Sequence, residues 1–336
     1  TNRIRKYIMK AVCLFSGGLD SRLALRLIAA QGVEVIALHF IIPFALKKES
    51  RAREMFSNTV TKDINAQLLT VTLGSDYLEM IKKPVNGYGK NLNPCIDCKI
   101  FMLKIAKEVM LAHSADFIVS GEVIGQRPMS QKRNTLKLIE KQAGVEGLLL
   151  RPLSAKLMHE TIPEQSGWID REKLLAINGR GRREQLDWAA KFELKDFPWP
   201  GGGCLLTDAN FCNRLKDLML KNMFVESNIG IIKFGRYFKI SENAFLILGR
   251  DEDENNELIK YIIKNDTVLS PVTLPGPLAV IRGKYDSNII KLSASILARY
   301  TKNSGSDLII KISCNDMVEA CKVDPLPDEE IKKYLP

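Results

Sequence analysis

Two observations predict an α/β protein in which helices cover a parallel sheet, followed by a smaller α+β domain. Over the first two hundred residues, apolar segments of strand length alternate with segments of helical periodicity, as in consecutive βαβ units. After about residue 205 one helical segment is followed by short strand-like segments. We therefore expect a first domain over residues 1–204 and a second over 205–336.

The first domain has five segments of strand character. The predicted strands are 10–16, 33–40, 66–73, 115–122 and 147–153. The predicted helices begin at Asp20 and cover 50–65 and 98–112, with more helical sequence in 160–195. Parallel sheets bind ligands at the carboxyl ends of their strands. The polar strings SGGLDS, His39-Phe40 and SGEVIGQ follow predicted strands and mark that edge.

The second domain is predicted to begin after the segment PWPGGGC, whose two prolines and three glycines cannot continue a helix. A helix is expected over 208–222. Strands are expected in RYFKI and AFLILGR, which begin at residues 236 and 244.

The composition is that of a globular protein. Apolar residues make up 46% of the 336 positions and charged residues 26%, and no stretch has the length of a membrane span. The basic start of the chain leads into only one strand-sized apolar segment, a poor secretory signal, so we expect a cytoplasmic protein without a membrane partner. Seven cysteines, an odd number, argue against a disulfide framework and favour thiol or metal chemistry at a few of them.

The net charge of +10 is concentrated in the first domain. Residues 1–204 hold 31 Lys and Arg against 21 Asp and Glu, whereas residues 205–336 hold 18 of each. A polyanion is therefore expected to bind the first domain, where 160–204 carries Arg180, Arg182 and Arg183. A basic surface that serves only solubility is the alternative.

The string Ser16-Gly17-Gly18-Leu19-Asp20-Ser21 stands between a predicted strand and a predicted helix. Glycines let the backbone approach an anion, and successive N–H groups at a helix N-terminus favour phosphate. A glycine turn with a helix cap is the structural alternative. The Lys-Ser/Thr ending of a Walker A loop is missing, which disfavours a phosphoryl-transferring kinase or motor ATPase.

A second motif places Cys95 and Cys98 in the string NPCIDC, at the start of a helix whose N-terminus is expected to lower thiol pKa. The pair alone is compatible with structural zinc, a thioredoxin-like pair, an iron–sulfur site or unrelated core cysteines. Cys204 is the one other well-placed candidate. Three thiolates leave one iron of a cluster open for sulfide. They also suit a persulfide with a resolving thiol.

Taken together these strings resemble known families. SGGLDS resembles the signature of the PP-loop ATP pyrophosphatases, and NPCIDCK, GEVIGQRPMSQ (121–131) and GGGC are similar to segments of the 4-thiouridine and 2-thiouridine tRNA synthases. The resemblance covers about residues 8–207. It implies an adenine nucleotide α-hydrolase-like fold that uses ATP and Mg²⁺. The residues it implies for nucleotide binding are Ser16, Gly17, Gly18, Leu19, Asp20, Ser21, His39, Phe40, Gly121 and Glu122.

The resemblance also implies the sulfur chemistry. Cys98 and Cys204 take the two sulfur-handling positions, with Asp20 as a further catalytic residue, and Cys95 completes the ligands of an iron–sulfur cluster of the 4Fe-4S type. ATP would adenylate a uracil carbonyl oxygen of tRNA bound to 126–195, and sulfur from a cluster-bound hydrosulfide or a persulfide would displace AMP. A cysteine desulfurase or inorganic sulfide would supply the sulfur.

Several questions remain open at this point. Within these residues we find neither the N-terminal RNA-binding extension of 4-thiouridine synthases nor a rhodanese-like domain, so the modified uridine is not identified, and an oligomer is compatible with the sequence. Sulfuration or amidation of a small molecule is the alternative within the PP-loop class. A non-catalytic RNA-binding factor is the alternative outside it.

The strings RYFKISENAFLILGRDEDENNEL (236–258) and VTLPGPLAVIRG (272–283) resemble the RNA-binding domain of the NFACT ribosome-quality-control proteins. This resemblance implies RNA contact by the second domain. Its zero net charge instead favours recognition of tRNA shape or contact with another protein.

Other polar residues have two interpretations each. Glu122, Gln126 and Gln131 are expected to contact nucleotide, magnesium or the target base, or to hydrogen-bond within their loop. Arg151 and Lys156 would neutralise phosphate or be solvated surface charges. The remaining histidines and cysteines are expected to be structural: His113, His159, Cys13, Cys212, Cys314 and Cys321.

Overall fold

The computed structural model describes residues 8–45, 66–195, 197, 204–302 and 306–336. It divides into two compact units, Thr1–Thr207 and Asp208–Pro336. The division lies three residues after the boundary expected between residues 204 and 205. In the described residues, no helix combines the length and the apolar character that crossing a membrane requires.

The described part of the first unit contains a five-stranded parallel sheet, which confirms the predicted α/β class. Its strands are β1 Lys10–Leu14, β2 Glu34–Ile41, β3 Gln67–Thr72, β4 Phe117–Ser120 and β5 Leu149–Leu150. Their spatial order is β3-β2-β1-β4-β5, and all neighbours are parallel. Because β1 and β4 are parallel neighbours, their carboxyl ends lie side by side. The string SGGLDS follows the end of β1, and the string SGEVIGQ follows the end of β4.

The helices of this unit agree with the prediction in part. They are α1 Leu19–Ala29, α2 Ser75–Lys82, α3 Cys95–Ala112, α4 Arg133–Ala143, α5 Ile162–Gln165 and α6 Arg183–Lys191. The helix expected over 98–112 begins three residues earlier, and the helix expected over 50–65 lies outside the described residues. Residues 160–195 are less helical than expected, because only four- and nine-residue α-helices and one 3-10 turn occur there.

Alternate residues of the strands face two separate apolar cores. Cys13 of β1 points into a core with Leu25 and Ile28 of α1, whereas its neighbour Val12 points into a core with Ile100 and Leu103 of α3. Because successive strand side chains lie on opposite faces, a strand apolar at every position needs a helix on each side. The continuous apolar character of 10–16 is thereby explained.

The opposite side of α1 is also covered. Its residues Leu19, Leu23 and Leu27 pack against Val123 and Leu153, and segment 174–194 adds further apolar side chains. Burial on both sides fixes the orientation of α1, and with it the position of the loop that precedes the helix.

The described part of the second unit is an antiparallel sheet with helices, as expected for an α+β domain. Its strands are β6 Arg236–Phe238, β7 Ala244–Leu248, β8 Thr267–Pro271, β9 Ala279–Gly283, β10 Leu308–Cys314 and β11 Met317–Val323, in the order β11-β10-β8-β9-β7-β6. Its helices are α7 Ala209–Leu220, α8 Glu226–Ile231, α9 Glu252–Ile259, α10 Ser287–Tyr300 and α11 Asp328–Ile331.

The core of the second unit forms between its sheet and α10, where Leu246, Ile281 and Leu297 are fully buried. Arg282 of β9 is buried too, and it is compensated by a two-point ion pair with Asp266, with Nε–Oδ1 2.9 Å and Nη2–Oδ2 2.6 Å. Cys212 is a core residue as expected, but Cys314 on β10 and Cys321 on the edge strand β11 are only half-buried.

Candidate functional site

The loop between β1 and α1 has a backbone shape that requires glycine. Gly17 has a φ of +74°, and Gly18 is the N-cap of α1 in an extended conformation. The Ser16 hydroxyl accepts a 3.4 Å hydrogen bond from the Gly18 amide, and the Ser21 hydroxyl donates to the Gly18 carbonyl at 2.9 Å. The two serine oxygens are 3.3 Å apart. The loop therefore presents N–H groups and two hydroxyls at the N-terminus of a buried helix.

Asp20 is the second residue of α1, and within the described part of the chain only one of its carboxylate oxygens has a partner. Oδ2 accepts a 3.0 Å hydrogen bond from Gln126 and lies 3.9 Å from an Arg182 guanidinium nitrogen. Oδ1 is buried and has no hydrogen-bond partner among the described residues. Buried carboxylate oxygens are normally paired, so this atom is available for a ligand.

Gly121 lies so close to α1 that no side chain fits. A Cβ at this position would be 2.6 Å from the Asp20 carbonyl carbon and oxygen and 2.7 Å from the Ser21 nitrogen. His39, at the end of β2, makes a 2.9 Å hydrogen bond between its Nδ1 and the Phe15 carbonyl oxygen, directly before the loop. The half-buried Phe40 packs against the core under α3 and α4. The ends of three strands therefore support the loop.

Glu122 belongs to a buried network of charges. One carboxylate oxygen pairs with Lys99 of α3, and the other accepts a 3.0 Å bond from Arg151 Nε. Arg151 also pairs with Glu140 of α4. Burial alone would raise the pKa of Glu122, but the two cations outweigh it and lower the pKa to about 2. Glu122 is therefore ionised and held in place.

The network corrects one expectation. Arg151 is neither a solvated charge nor free to bind phosphate, because it is 2% exposed and pairs with two glutamates.

Two other polar residues of the prediction have partners of their own. Lys156 Nζ donates to the Glu172 carboxylate at 3.0 Å and to the Glu172 carbonyl oxygen at 2.8 Å. Gln131 hydrogen-bonds within its own loop through the backbone, while its side-chain Oε1 is buried without a partner in the described region.

One tyrosine hydroxyl lies beside the cysteine pair. Cys95 and Cys98 lie on the first turn of α3, and the Tyr77 hydroxyl of α2 is 3.2 Å from Cys98 Sγ. Burial raises the pKa of Tyr77 well above its usual range, and the neighbouring Cys98, Cys204 and Cys95 raise it further. Cys204 lies over a hundred residues away in sequence, so its place in this part of the first unit was not predictable from spacing alone.

The two thiols of the α3 turn differ in their surroundings. Cys95 Sγ donates to Asn93 Oδ1 at 3.0 Å, whereas Cys98 Sγ contacts Tyr77. The expectation of a lowered thiol pKa is wrong for Cys98. Burial raises its pKa to about 11 and outweighs the Tyr77 hydrogen bond, which acts in the opposite direction.

A set of hydrogen bonds anchors the segment that carries Cys204. The Cys204 carbonyl oxygen accepts hydrogen bonds from the Thr207 hydroxyl at 2.8 Å and from the Thr207 amide at 2.9 Å. These two bonds close the turn Leu205–Thr207. Asn91 Nδ2 in turn donates to the Thr207 carbonyl at 2.8 Å. The Leu205 amide donates to the Phe44 carbonyl, just after β2, at 3.3 Å. The turn is thus attached both to the loop before α3 and to the end of β2.

The buried carboxylate of Asp97 shapes the loop that precedes α3. Asp97 accepts hydrogen bonds from the Val85 amide at 3.0 Å and from the amide and side chain of Asn86 at 3.0 and 3.2 Å. These bonds hold the start of segment 83–94 against α3. That segment ends in Asn93, which contacts Cys95.

The cysteines are the candidate ligands of this site, since thiolates are the ligands that iron–sulfur clusters use. In the described parts of the chain, no three His, Cys, Asp or Glu side chains are grouped as ligands of one metal ion. Cys95 and Cys98 share the first turn of α3, and a hydrogen bond joins the loop before that helix to the turn that follows Cys204.

The nucleotide and thiol motifs are structurally linked. Lys99, next to Cys98, pairs with Glu122, next to Gly121, whose backbone packs on Asp20. Sequence reasoning missed Tyr77, Lys99 and Asn91. Lys99 stands inside the string NPCIDCK, whereas nothing local to Tyr77 or Asn91 distinguishes them from ordinary core and loop residues.

Comparison with known families gives two matches along the chain. Residues 8–164 match the family described as thiamine biosynthesis protein (ThiI), and residues 235–335 match the family described as NFACT protein RNA binding domain. Both resemblances inferred from the sequence are thereby confirmed, each over its own segment.

The curated relatives are similar in the first unit. A probable tRNA sulfurtransferase of Alkaliphilus oremlandii is 33% identical over 147 residues, which are 44% of this chain and 36% of the relative. The corresponding protein of Alkaliphilus metalliredigens is 35% identical over 147 residues, with the same coverage of both chains. That of Thermococcus kodakarensis is 30% identical over 117 residues, 35% of this chain and 30% of the relative. The chain thus spans about one third of the length of these relatives.

Two solved structures are also similar. A 4-thiouridine synthetase–RNA complex with bound ATP aligns with a TM-score of 0.38 and 21% identity, covering 60% of this chain and 46% of that one. The U34-tRNA thiolase NcsA from Methanococcus maripaludis, with its [4Fe-4S] cluster, aligns with a TM-score of 0.36 and 17% identity, covering 66% of this chain and 70% of that one.

Proposed function

We propose that this chain, which carries a ThiI-family domain over residues 8–164 and an NFACT RNA-binding domain over 235–335, is an ATP-dependent tRNA uridine sulfurtransferase. The observation that best supports the proposal is the loop at 16–21, where two serine hydroxyls and the buried Asp20 Oδ1, which has no partner among the described residues, lie at the N-terminus of α1. The ion pair that joins the Cys98 segment to the glycine turn packed on Asp20 supports it further.

In the first step the loop at 16–21 would hold the phosphates of ATP. Its N–H groups and the N-terminus of α1 favour the pyrophosphate, which must leave as the uracil carbonyl oxygen attacks the α-phosphorus. The buried, unpartnered Oδ1 of Asp20 would coordinate Mg²⁺, which prefers oxygen ligands. Arg182 and Gln126 orient this carboxylate.

In the second step a sulfur nucleophile attacks the activated carbon, and AMP leaves with the former carbonyl oxygen. An iron–sulfur cluster held by Cys95, Cys98 and Cys204 would supply an iron with one open coordination position. Without a cluster, Cys98 would carry the sulfur as a persulfide. The outer sulfur would attack the activated carbon, and Cys204 would then attack Cys98 Sγ and break its bond to that sulfur. This leaves the thiouridine and a Cys98–Cys204 disulfide, which an external dithiol reduces.

The basic part of the first unit would hold the tRNA. Arg180 is exposed on the loop that leads into α6, Arg183 is the exposed first residue of that helix, and the half-buried Arg182 between them contacts Asp20. Phosphate contacts at these residues would place the polyanion next to the loop at 16–21.

The deciding experiment follows both products of the reaction. Purified protein is incubated with α-labelled ATP, unmodified tRNA and one of two sulfur donors, either sulfide, which an open iron of a cluster can bind, or cysteine with a cysteine desulfurase, which can pass persulfide sulfur to a thiol. AMP and thiouridine are quantified together. We expect both products only when tRNA is present, and a loss of at least 100-fold in thiouridine for Cys98→Ser and for Cys204→Ser. Cys314→Ser, a half-buried thiol of the second unit, is the matched control and retains activity.

Two other results would redirect the proposal. AMP formation that does not depend on tRNA would favour a small-molecule substrate, and tRNA binding without ATP turnover would favour a non-catalytic RNA-binding factor.

Iron and sulfide analysis of protein purified without oxygen separates the two sulfur routes. Iron that is lost in Cys95→Ala and in Cys204→Ala supports three-thiolate ligation, whereas iron-free active protein supports the persulfide.

A further inference from the structure

The loop of residues 83–94, which joins α2 to the cysteine helix α3, exposes an aromatic ring to solvent. Tyr88 is 39% exposed, and among the described residues it is the most exposed aromatic residue. Val85 of the same loop is 88% exposed. The loop thus presents an aromatic and an aliphatic side chain to solvent a few residues before Cys95.

The loop is held in place by hydrogen bonds, so the exposure of the ring is part of its folded shape. The Tyr88 hydroxyl donates to the last carbonyl groups of α2, that of Ile81 at 2.6 Å and that of Lys82 at 3.0 Å. The next amide, that of Gly89, donates to the Asn93 carbonyl oxygen at 2.8 Å. The polar end of Tyr88 is therefore bound to the protein, while its ring remains accessible.

The loop contacts both motifs of the proposed active site. Met129, from the string that follows β4, packs against Gly89 so closely that its thioether occupies the place of a Cβ. The side chain of Asn93 accepts a hydrogen bond from the Cys95 thiol at 3.0 Å. Tyr88, next to Gly89, therefore belongs to a loop that touches both the string after β4 and the cysteine turn.

The charge of the loop indicates the class of its partner. Lys83 and Lys90 stand on either side of Tyr88 in the chain, and both are exposed. Residues 83–94 contain no aspartate or glutamate. Proteins bind single-stranded RNA by stacking bases on aromatic rings, while basic side chains bind the phosphates. An exposed ring between two lysines suits such a strand.

Thiolation of a uracil carbonyl also needs an unstacked nucleotide. Enzymes that act on a base inside a helix must extrude it from the stack, or act on a strand that is already unpaired. A ring beside the thiols can hold an unpaired base of that strand close to the site of the reaction.

We propose that Tyr88 is an RNA-binding residue whose ring stacks on an unpaired base of the tRNA, with Lys83 and Lys90 binding the phosphates beside it. The proposal rests on the proposed function and deepens it, because it assigns the element that holds the nucleotide next to the thiols. The simpler interpretation is a tyrosine whose hydroxyl caps α2 and whose ring is exposed incidentally. That role belongs to the hydroxyl, whereas the proposed role belongs to the ring.

Tyr88→Phe and Tyr88→Leu together separate these roles. Both variants lose the hydrogen bonds to the α2 carbonyls, but only Tyr88→Phe keeps an aromatic face. Binding of unmodified tRNA is measured by fluorescence anisotropy without ATP or a sulfur donor. We expect Tyr88→Phe to bind within twofold of wild type and Tyr88→Leu to bind at least fivefold more weakly than Tyr88→Phe, because stacking requires an aromatic face.

Two further measurements examine the contact itself. Ultraviolet crosslinking of wild-type protein to the same tRNA, followed by peptide mass spectrometry, should give nucleotide adducts on the peptide 83–90. The difference between Tyr88→Leu and Tyr88→Phe should recur with a single-stranded RNA oligonucleotide and disappear when that strand is annealed to its complement.

Lys90→Gln tests the phosphate contact beside the ring. We expect the slope of log affinity against log salt concentration to decrease by about 1. An unchanged slope would contradict the contact assigned to Lys90.

Other outcomes would overturn the inference. Equal tRNA affinities of Tyr88→Leu and Tyr88→Phe would assign the exposed ring to a protein partner or to no partner, and an affinity loss that persists with duplex RNA would exclude stacking as its cause. Failure of the proposed function is recognised separately, since the protein would then bind tRNA through Tyr88 and form no thiouridine.

Discussion

At the scale of single residues, the site is organised by buried polar groups that compensate one another. Glu122 lies between Lys99 and Arg151, and Arg151 lies between Glu122 and Glu140. A buried charge is tolerated only when it is paired, and removal of one partner leaves the others uncompensated. The contribution of Glu122 to stability should therefore be large and dependent on pH.

We expect Glu122→Gln to lower the free energy of unfolding at pH 7 by about 3 kcal/mol. The folded-state pKa of about 2 lies below the ordinary glutamate value of 4.5. The stabilisation is therefore fully present above pH 4.5 and is lost as the pH falls from 4.5 towards 2. Denaturant titrations of both proteins across this range should show the difference shrinking at low pH.

Glu79→Gln is the control for this measurement. Glu79 pairs with Lys82 on the exposed side of α2, and exposed pairs of this kind contribute little. A Glu122→Gln difference that stays constant down to pH 2.5 would contradict the assigned ion pairs.

At the scale of elements, the nucleotide loop depends on the close approach of two backbones. Gly121 follows β4 and contacts the first turn of α1, and no other residue fits at that distance. The position of the loop is thus set by β4 and α1 together, and α1 is itself held by apolar contacts on both of its sides.

Gly121→Ala is expected to push the end of β4 away from α1. The added Cβ meets backbone atoms of Asp20 and Ser21, which cannot rotate away as a flexible side chain would. We expect ATP affinity, measured by calorimetry, to fall at least tenfold. Gly74→Ala is the matched control, because a Cβ at Gly74 has no atom within 4 Å. Equal affinities of Gly121→Ala and wild type would show that the loop does not bind the nucleotide.

At the scale of the whole molecule, charge is divided unequally along the chain. The excess of 10 positive charges falls within residues 1–204, and residues 205–336 are neutral in total. Binding of a polyanion that uses lysine and arginine contacts releases counterions, so affinity falls with salt in proportion to the number of contacts. The first unit should therefore account for most of the salt dependence of tRNA binding.

Arg180→Gln tests this division of charge. We expect the slope of log affinity against log salt concentration to decrease by about 1, because one phosphate contact is lost. Lys260→Gln in the second unit serves as the comparison, since this exposed lysine pairs with Glu257, and its slope should equal that of wild type. A larger effect of Lys260→Gln would place the main phosphate contacts on the second unit.

The sequence alone determined the α/β class of the first domain, its five strands and the α+β class of the second domain, whereas the antiparallel pairing of the second sheet came from the structure. Strand length, helical periodicity and glycine positions are local properties, so they can be recognised without a structure. The loop at 16–21 is local in the same sense. The helix over 98–112 was placed three residues late, because Pro94 rather than the cysteine pair stands at its N-cap.

Only the tertiary structure decided which distant residues meet. It places the Tyr77 hydroxyl against Cys98, buries Arg151 between two glutamates, and attaches the Cys204 turn to Asn91. It also reversed the expected pKa shift of Cys98, since burial outweighs any effect of the helix N-terminus. Such contacts join segments far apart in the chain, and burial depends on everything packed around a group, so neither is encoded in a local pattern of residues.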